Sequence, residues 1–267
     1  MPSCNLGANR KAGPVVVGQP PPALAPFVEL FWHDDRYREL THLERVLPAG
    51  AFTLVFEIDS GVGIVTGLRS KCIEVDTSIV GTIVGVLFRP GGARAFFPGS
   101  AAELYNRSVP LERFWGPAAS ETCDLLRAST HPPAHFGVLK QALENRLRAK
   151  PFLHSAVERG LREFQRVPHV HRVIEVVEQT GLSRRRFSQL FREQVGTTPK
   201  LYCRLRRFTW VVQQLSSGND VDWADVAQAA GYSDQAHLVR DFQEFSGLSP
   251  AVFLRAERPS GAHVRVS

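Results

Sequence analysis

The sequence predicts an α+β multidomain chain, with an all-β N-terminal domain and helical hairpin followed by an all-α C-terminal domain. Three observations carry that prediction. Between Phe27 and Phe88, short runs rich in β-branched and aromatic residues alternate with turns built on Pro and Gly. Beyond Pro117 the apolar residues recur at helical spacing instead, as in the ladder Leu139, Leu143, Leu147. Finally, the last third repeats itself. Phe191-Arg-Glu193-Gln-Val-Gly196-Thr-Thr-Pro199-Lys-Leu-Tyr202-Cys-Arg204 is echoed 51 positions on by Phe242-Gln-Glu244-Phe-Ser-Gly247-Leu-Ser-Pro250-Ala-Val-Phe253-Leu-Arg255. Both obey Phe-x-Glu-x-x-Gly-x-x-Pro-x-x-(Tyr/Phe)-x-Arg. Two copies are too few to stack as a solenoid, so the chain holds two related supersecondary units.

Taken in order, residues 1–22 are small, polar and Pro/Gly-rich, ending in Pro20-Pro21-Pro22, and are expected to form a tail. Strands are expected over 27–33, 52–58, 63–66, 71–75 and 79–88. The turns between them are Pro48-Ala-Gly50, Asp59-Ser-Gly61 and Arg89-Pro-Gly-Gly92, so 23–115 reads as a β sandwich or barrel. Helices are expected over 117–128, 133–149 and 152–164, which makes 116–165 a helical linker or dimerisation region. Its leucine ladder suits packing on the β-domain or on a second copy of the chain, and periodicity does not separate the two. His131-Pro-Pro-Ala-His135 is expected in a loop because of its prolines. A linker around 162–171, broken at Pro168, leads to a helical domain over 166–258, and 259–267 is expected to be a free tail.

The two repeated units, about 170–196 and 222–247, each read as a pair of short helices around a Gly turn. In the second, Trp223-Ala-Asp-Val226-Ala227-Gln-Ala-Ala230 buries one face, Asp220 or Asp222 caps its start, and Gly231 stops it. The next helix, capped by Ser233 or Asp234, turns Leu238, Phe242 and Phe245 inward. The first unit matches it: a turn at Thr180-Gly181-Leu182, then a Ser183-capped helix with Phe187, Leu190 and Phe191 inward. This is a helix-turn-helix, whose second helix is shaped for a DNA major groove.

At this point residues 168–257 resemble the DNA-binding domain of the AraC/XylS family of bacterial transcription regulators. The likeness is carried by the repeat and by Ala227-Gln-Ala-Ala230-Gly231-Tyr232-Ser233-Asp234-Gln235-Ala236-His237-Leu238-Val239-Arg240-Asp241-Phe242. It implies two helix-turn-helix units joined by a long helix, here Pro199 to Leu215. Two departures are Val177, where Ala227 stands in the second unit, and Val211, where the family has a small residue. The resemblance also implies an N-terminal sensor built as a small cupin-like barrel, on Arg45-Val-Leu-Pro48-Ala-Gly50 and Phe88-Arg89-Pro90-Gly91-Gly92-Ala93.

The partners it implies are double-stranded DNA, a small-molecule effector of unspecified identity, RNA polymerase and a second copy of the chain. By the family pattern the base readers are Arg184, Arg185, Ser188 and Gln189 in the first unit and Gln235, Ala236, Val239 and Arg240 in the second. Arg bonds bidentately to guanine and Gln to adenine, so these residue types suit that task. Arg192, Lys200, Arg204 and Arg206 are the phosphate candidates, while Arg207 and Arg255 recur beside the repeat and read as structural. Trp32, Phe52, Phe56 and Phe88 alternate on the strands and are the candidate lining of an effector pocket, with core packing as the plainer role.

Composition agrees with an anionic partner. The 267 residues carry a net charge of +6, and the pI is about 9.4. The charge is lopsided: ten basic against three acidic residues over 166–210, but three against seven over 211–258. The first unit is therefore expected to supply most of the salt-dependent grip. Cys4, Cys72, Cys123 and Cys203 have no metal or redox spacing, and no apolar run is long enough to span a bilayer. With no secretory leader pattern either, a cytoplasmic protein is expected.

The competing readings are a metal-binding cupin enzyme and a repair protein fused to a DNA-binding domain. The first needs clustered ligands such as His-x-His plus Glu, and the β region offers only His33 and His42 with Asp34, Asp35 and Glu44. The second would need a four-Cys zinc set, which is missing. His169-Val-His171 falls in the linker, and Gly61-Val-Gly63-Ile-Val-Thr-Gly67 is a hairpin with no helix after it. No catalytic constellation, cofactor or metal site is expected.

Overall fold

The computed structural model describes residues 15–35, 43–76, 81–147, 153–166, 173–215, 222–256 and 263–266. A six-stranded antiparallel sheet has the order β1 (Val16–Gly18), β2 (Val28–Asp34), β7 (Ile83–Phe88), β4 (Thr53–Glu57), β5 (Val62–Thr66), β8 (Ser108–Pro110). A second, three-stranded sheet has the order β6 (Ile73–Asp76), β3 (Leu43–Val46), β9 (His263–Val266). The strands thus form two antiparallel sheets; the helical region follows β8 and precedes β9.

Strand alternation decides which aromatics share a face. Phe56 pairs with Val84, and Val84 with His33, so Phe56, Val84 and His33 point to the inner face, as do Leu54, Val86 and Phe31. One residue away, Val55, Gly85 and Trp32 pair in the same row and point to the other side. Gly85 has to be glycine there: a Cβ would lie 2.3 Å from the Trp32 ring. The four aromatics expected to line one pocket are therefore divided. Phe52, Phe56 and Phe88 are buried core, whereas Trp32 sits on the opposite face.

Helices cover the inner face. After the single turn α1 (Glu112–Trp115) come α2 (Pro117–Ala128) on β5 and α3 (Pro132–Glu144) on β1 and β2. Leu126, Leu139 and Leu143 are fully buried, and Phe136 meets Phe31 at 6.1 Å between ring centres. The leucine ladder is thus spent inside one chain on the β-domain, leaving little of it for a second copy.

Several expectations are corrected here. His131 is not in a simple loop: it is the N-cap of α3, accepting from the Ala134 N–H, and its prolines occupy the first helical turn, where a missing N–H costs nothing. His135 is then a buried helical residue stacked on His33, 5.1 Å away. Part of the expected 1–22 tail is β1, a valine-rich strand paired with β2 and ended by Gly18, over which the Phe136 ring lies. Part of the expected C-terminal tail is β9, which returns to the β-domain and pairs with β3 along its whole length. Finally, α4 (Ser155–Arg166), expected in the linker region, packs on α5 (Val173–Glu178) and α6 (Arg184–Val195), so the helical domain starts before residue 166. The expected break at Pro168 lies outside the described residues.

Burial of His135 should make stability depend on pH. Burial, and less so nearby His131, push His135 below its ordinary value of 6.5, against the opposing pull of the Ser129 carbonyl. The unfolded chain therefore takes up the proton first. Stability should fall as pH drops below about 6.5 and level off once the folded ring titrates. Urea melts between about pH 7.5 and 5 check this. His135→Phe, which keeps the stacked ring, should flatten part of the slope.

Candidate nucleic-acid interface

The repeat has a physical meaning at almost every position. After α6, Gly196 takes φ 98 as its left-handed cap, Thr198 accepts from the Leu201 N–H, and Pro199 opens α7 (Pro199–Leu215). After α9 (Gln235–Ser246), Gly247 takes φ 71, Ser249 accepts from the Val252 N–H, and Pro250 opens α10 (Pro250–Arg255). Each copy therefore encodes stop, cap and restart in four residues, Gly196 to Pro199 and Gly247 to Pro250. The flanking aromatics pack inward. Phe191 meets Phe187, Phe164 and Tyr202, and Phe242 meets Phe208 and Phe253, all at 5.2–6.0 Å.

Each unit then builds its turn and its second helix. Thr180 binds the Val177 carbonyl, Gly181 takes φ 72, and Ser183 caps α6 by accepting from Arg186 N–H. In the second unit Asp222 caps α8 (Trp223–Ala229), Gly231 takes φ 74, and Asp234 caps α9 at 2.7 Å from the His237 amide. That amide and the Ser233 hydroxyl hold the Asp234 carboxyl below its ordinary range. Arg207 reaches from α7 to the Gly231 carbonyl and lies over the Tyr232 ring, the structural role expected of it.

On α6, Arg184, Arg185, Gln189 and Arg192 are exposed and Ser188 is half-buried. On α9, Gln235, Ala236 and Arg240 are exposed and Val239 is half-buried. All eight base-reading candidates thus lie on outward flanks of the second helices, in or near their N-terminal halves. Lys200 is exposed at the start of α7. Arg206 is half-buried beside Tyr202, whose hydroxyl burial pushes up to about 12. The guanidinium of Arg204, the remaining phosphate candidate, is ion-paired with Asp241 and Glu244 across the α7–α9 contact. One residue was missed. Arg186 Nη1 donates to Gln189 Oε1, while Gln189 Nε2 donates to Glu193, a chain at i, i+3 and i+4 spacing that orients the amide of a base-reading candidate.

The β-domain holds both second helices by their far ends. The last turn of α6 packs on the 3₁₀ turn Ala101–Leu104, and a Cβ on Gly196 would lie 3.1 Å from Phe52. At the end of α9, Cys72 N–H donates to the Phe245 carbonyl and Arg45 to the Gly247 carbonyl. The grip therefore leaves the N-terminal halves of both helices open.

Among the described residues no group of three or more His, Cys, Asp or Glu is placed to hold a metal ion. Burial pushes the Cys203 thiol up to about 12, far from a reactive thiolate. No helix of the described residues is long and apolar enough to cross a membrane.

Residues 176–256 match the family described as a helix-turn-helix domain. The C-terminal third is an AraC-type helix-turn-helix domain. The AraC-type domain thus spans both units, from within α5 to the end of α10. Residues 17–110 match a second family, described as a domain of unknown function (DUF6597), a match that runs from within β1 to the end of β8 and leaves out β9. Among solved structures, ToxT from Vibrio cholerae at 1.65 Å resolution is similar with a TM-score of 0.44 and 9% identity, over 81% of this chain and 90% of that one. Wild-type ToxT from the same organism with an unsaturated fatty acid bound gives 0.40 and 8%, over 92% and 97%. No curated protein matches the chain in sequence.

Proposed function

We propose that the chain is a sequence-specific regulator of transcription that reads double-stranded DNA with both units and sets its grip through the β-domain. The observation that carries this is the pair of matched second helices, α6 and α9, with polar outward flanks and a buried connecting helix between them. Arg184, Arg185, Ser188 and Gln189 read one block of bases, and Gln235, Ala236, Val239 and Arg240 the other. A rigid α7 suits entry into successive major grooves of one DNA face. Arg192, Lys200 and Arg206 bind phosphates, and the basic surplus of the first unit supplies most of the salt-dependent affinity.

The β-domain is the regulatory half in this reading, and it biases DNA affinity on binding a small-molecule effector. Its contacts lie where such a bias would act, at the ends of α6 and α9. Contact with RNA polymerase and self-association belong to the same reading.

The test is selection from random DNA at two salt concentrations. The full chain should recover a motif of two blocks about one helical turn apart. Arg185→Ala should cost about 1–3 kcal/mol and relax one base position, whereas Lys200→Ala should weaken all sequences alike. A motif unchanged at every position by Arg185→Ala would show that α6 is wrongly oriented in this reading.

A further inference from the structure

The two units are held differently. Position 190 of the first unit is Leu190, a buried apolar residue, and the position 51 residues on is Asp241, a carboxylate only 3% exposed. A buried carboxylate needs a partner, and here it is Arg204 of α7. Arg204 Nη2 lies 2.7 Å from Asp241 Oδ1, and Nε lies 3.2 and 3.3 Å from the two oxygens. The same guanidinium donates to Glu244 one turn further on and sits 5.0 Å from the Phe245 ring. His237 Nε2 is 3.8 Å from Asp241 on the other side.

These contacts form one stripe along α9, at 237, 241, 244 and 245, beside the outward flank that carries Val239 and Arg240. A planar fork on two carboxylates resists rotation about the helix axis, which apolar contacts alone do weakly. Sites of this kind need their side chains held within roughly 0.5 Å and 10–20°. The first unit offers an internal comparison. Its Glu193, which matches Glu244, accepts from Gln189 of its own helix, and Leu190, the counterpart of Asp241, lies in the apolar core.

We propose that Arg204 is the positioning residue of the second reader: its fork on Asp241 and Glu244 sets the rotation of α9, and through it the bases which that unit selects. This rests on the reading of the chain as a two-unit DNA reader. Arg204 touches no base; it acts through α9. Stability alone is a poor reason for such a pair, since buried ion pairs often contribute little net stability and serve specificity instead.

The experiment is selection from random DNA by the full chain and by three variants, with the blocks assigned to units by Arg185→Ala. Arg204→Lys keeps the charge and loses the fork; Asp241→Asn keeps the shape and loses the charge. Both should retain first-block selectivity and lose about tenfold or more in discrimination at the second block. The double variant Arg204→Met with Asp241→Leu replaces the pair with carbon. It should recover the melting temperature lost by Arg204→Met alone without recovering second-block selectivity. Parallel erosion of both blocks, no change in either, or recovery of selectivity by the apolar pair would each overturn the inference. A wild-type chain that selects no two-block motif overturns the reader itself, and the inference with it.

Discussion

Phe208→Ala should lower the stability of the chain by about 3–5 kcal/mol, the range for a buried aromatic truncated to alanine. Phe208 is 1% exposed in the middle of α7. Its ring meets Phe242 at 5.2 Å and Phe245 at 5.4 Å, both edge-to-face, and Phe242 in turn meets Phe253 at 5.2 Å. One ring thus ties α7, α9 and α10 together, and two aromatic pairs are lost with it. The change removes no charge and lies away from the outward flanks. Any loss of DNA affinity would therefore follow loss of the folded second unit. Urea unfolding by fluorescence gives the stability, and a salt-matched DNA titration gives the binding. A stability loss under about 1 kcal/mol would mean that the aromatic cluster closes over the cavity.

That cluster also shows why so much of the helical domain was legible. Its signals are local. A Gly at the end of a helix, a Thr or Ser two positions on and a Pro after that specify cap and restart within a few residues, and the structure uses Gly196, Thr198 and Pro199 in those roles. Inward aromatics follow from helical spacing, and all of Phe187, Phe191, Phe242 and Phe245 are buried. Val177 and Val211, the two departures from the family pattern, are buried at 3% and 0%.

What was not legible depends on long-range pairing. Arg204 reads as one more basic residue past a recognition helix. Only the fold brings it to Asp241, 37 residues away. Strands β1 and β9 are three and four residues long, too short for alternation to stand out, and each exists because a partner strand is waiting. The four aromatics assigned to one pocket illustrate the register rule. Trp32 follows Phe31, and that single step places it on the other face of the sheet from Phe56 and Phe88.

Removing residues 259–267 should cost about 3 kcal/mol or more, a large effect for a segment that reads as a dispensable tail. Val264 is 1% exposed, and burying a valine contributes about 1.5–3 kcal/mol. His263 Nδ1 lies 2.9 Å from Oε2 of Glu44, a carboxylate 2% exposed, and stripping a hydrogen-bond partner from such a group adds about 1–3 kcal/mol. The loss should be local. Amide exchange should quicken in Leu43–Val46, which loses its β9 neighbour, while β4, β5 and β7 in the other sheet keep their protection. Unchanged exchange in β3 would mean that β9 contributes nothing and the segment is a tail after all. The consequence reaches the DNA-binding half because Arg45, paired with Val264 in the middle of β3, is also the donor to the Gly247 carbonyl at the end of α9. A loosened β3 releases that carbonyl, so DNA selectivity measured on the truncated chain should soften at the block read by α9 before the block read by α6.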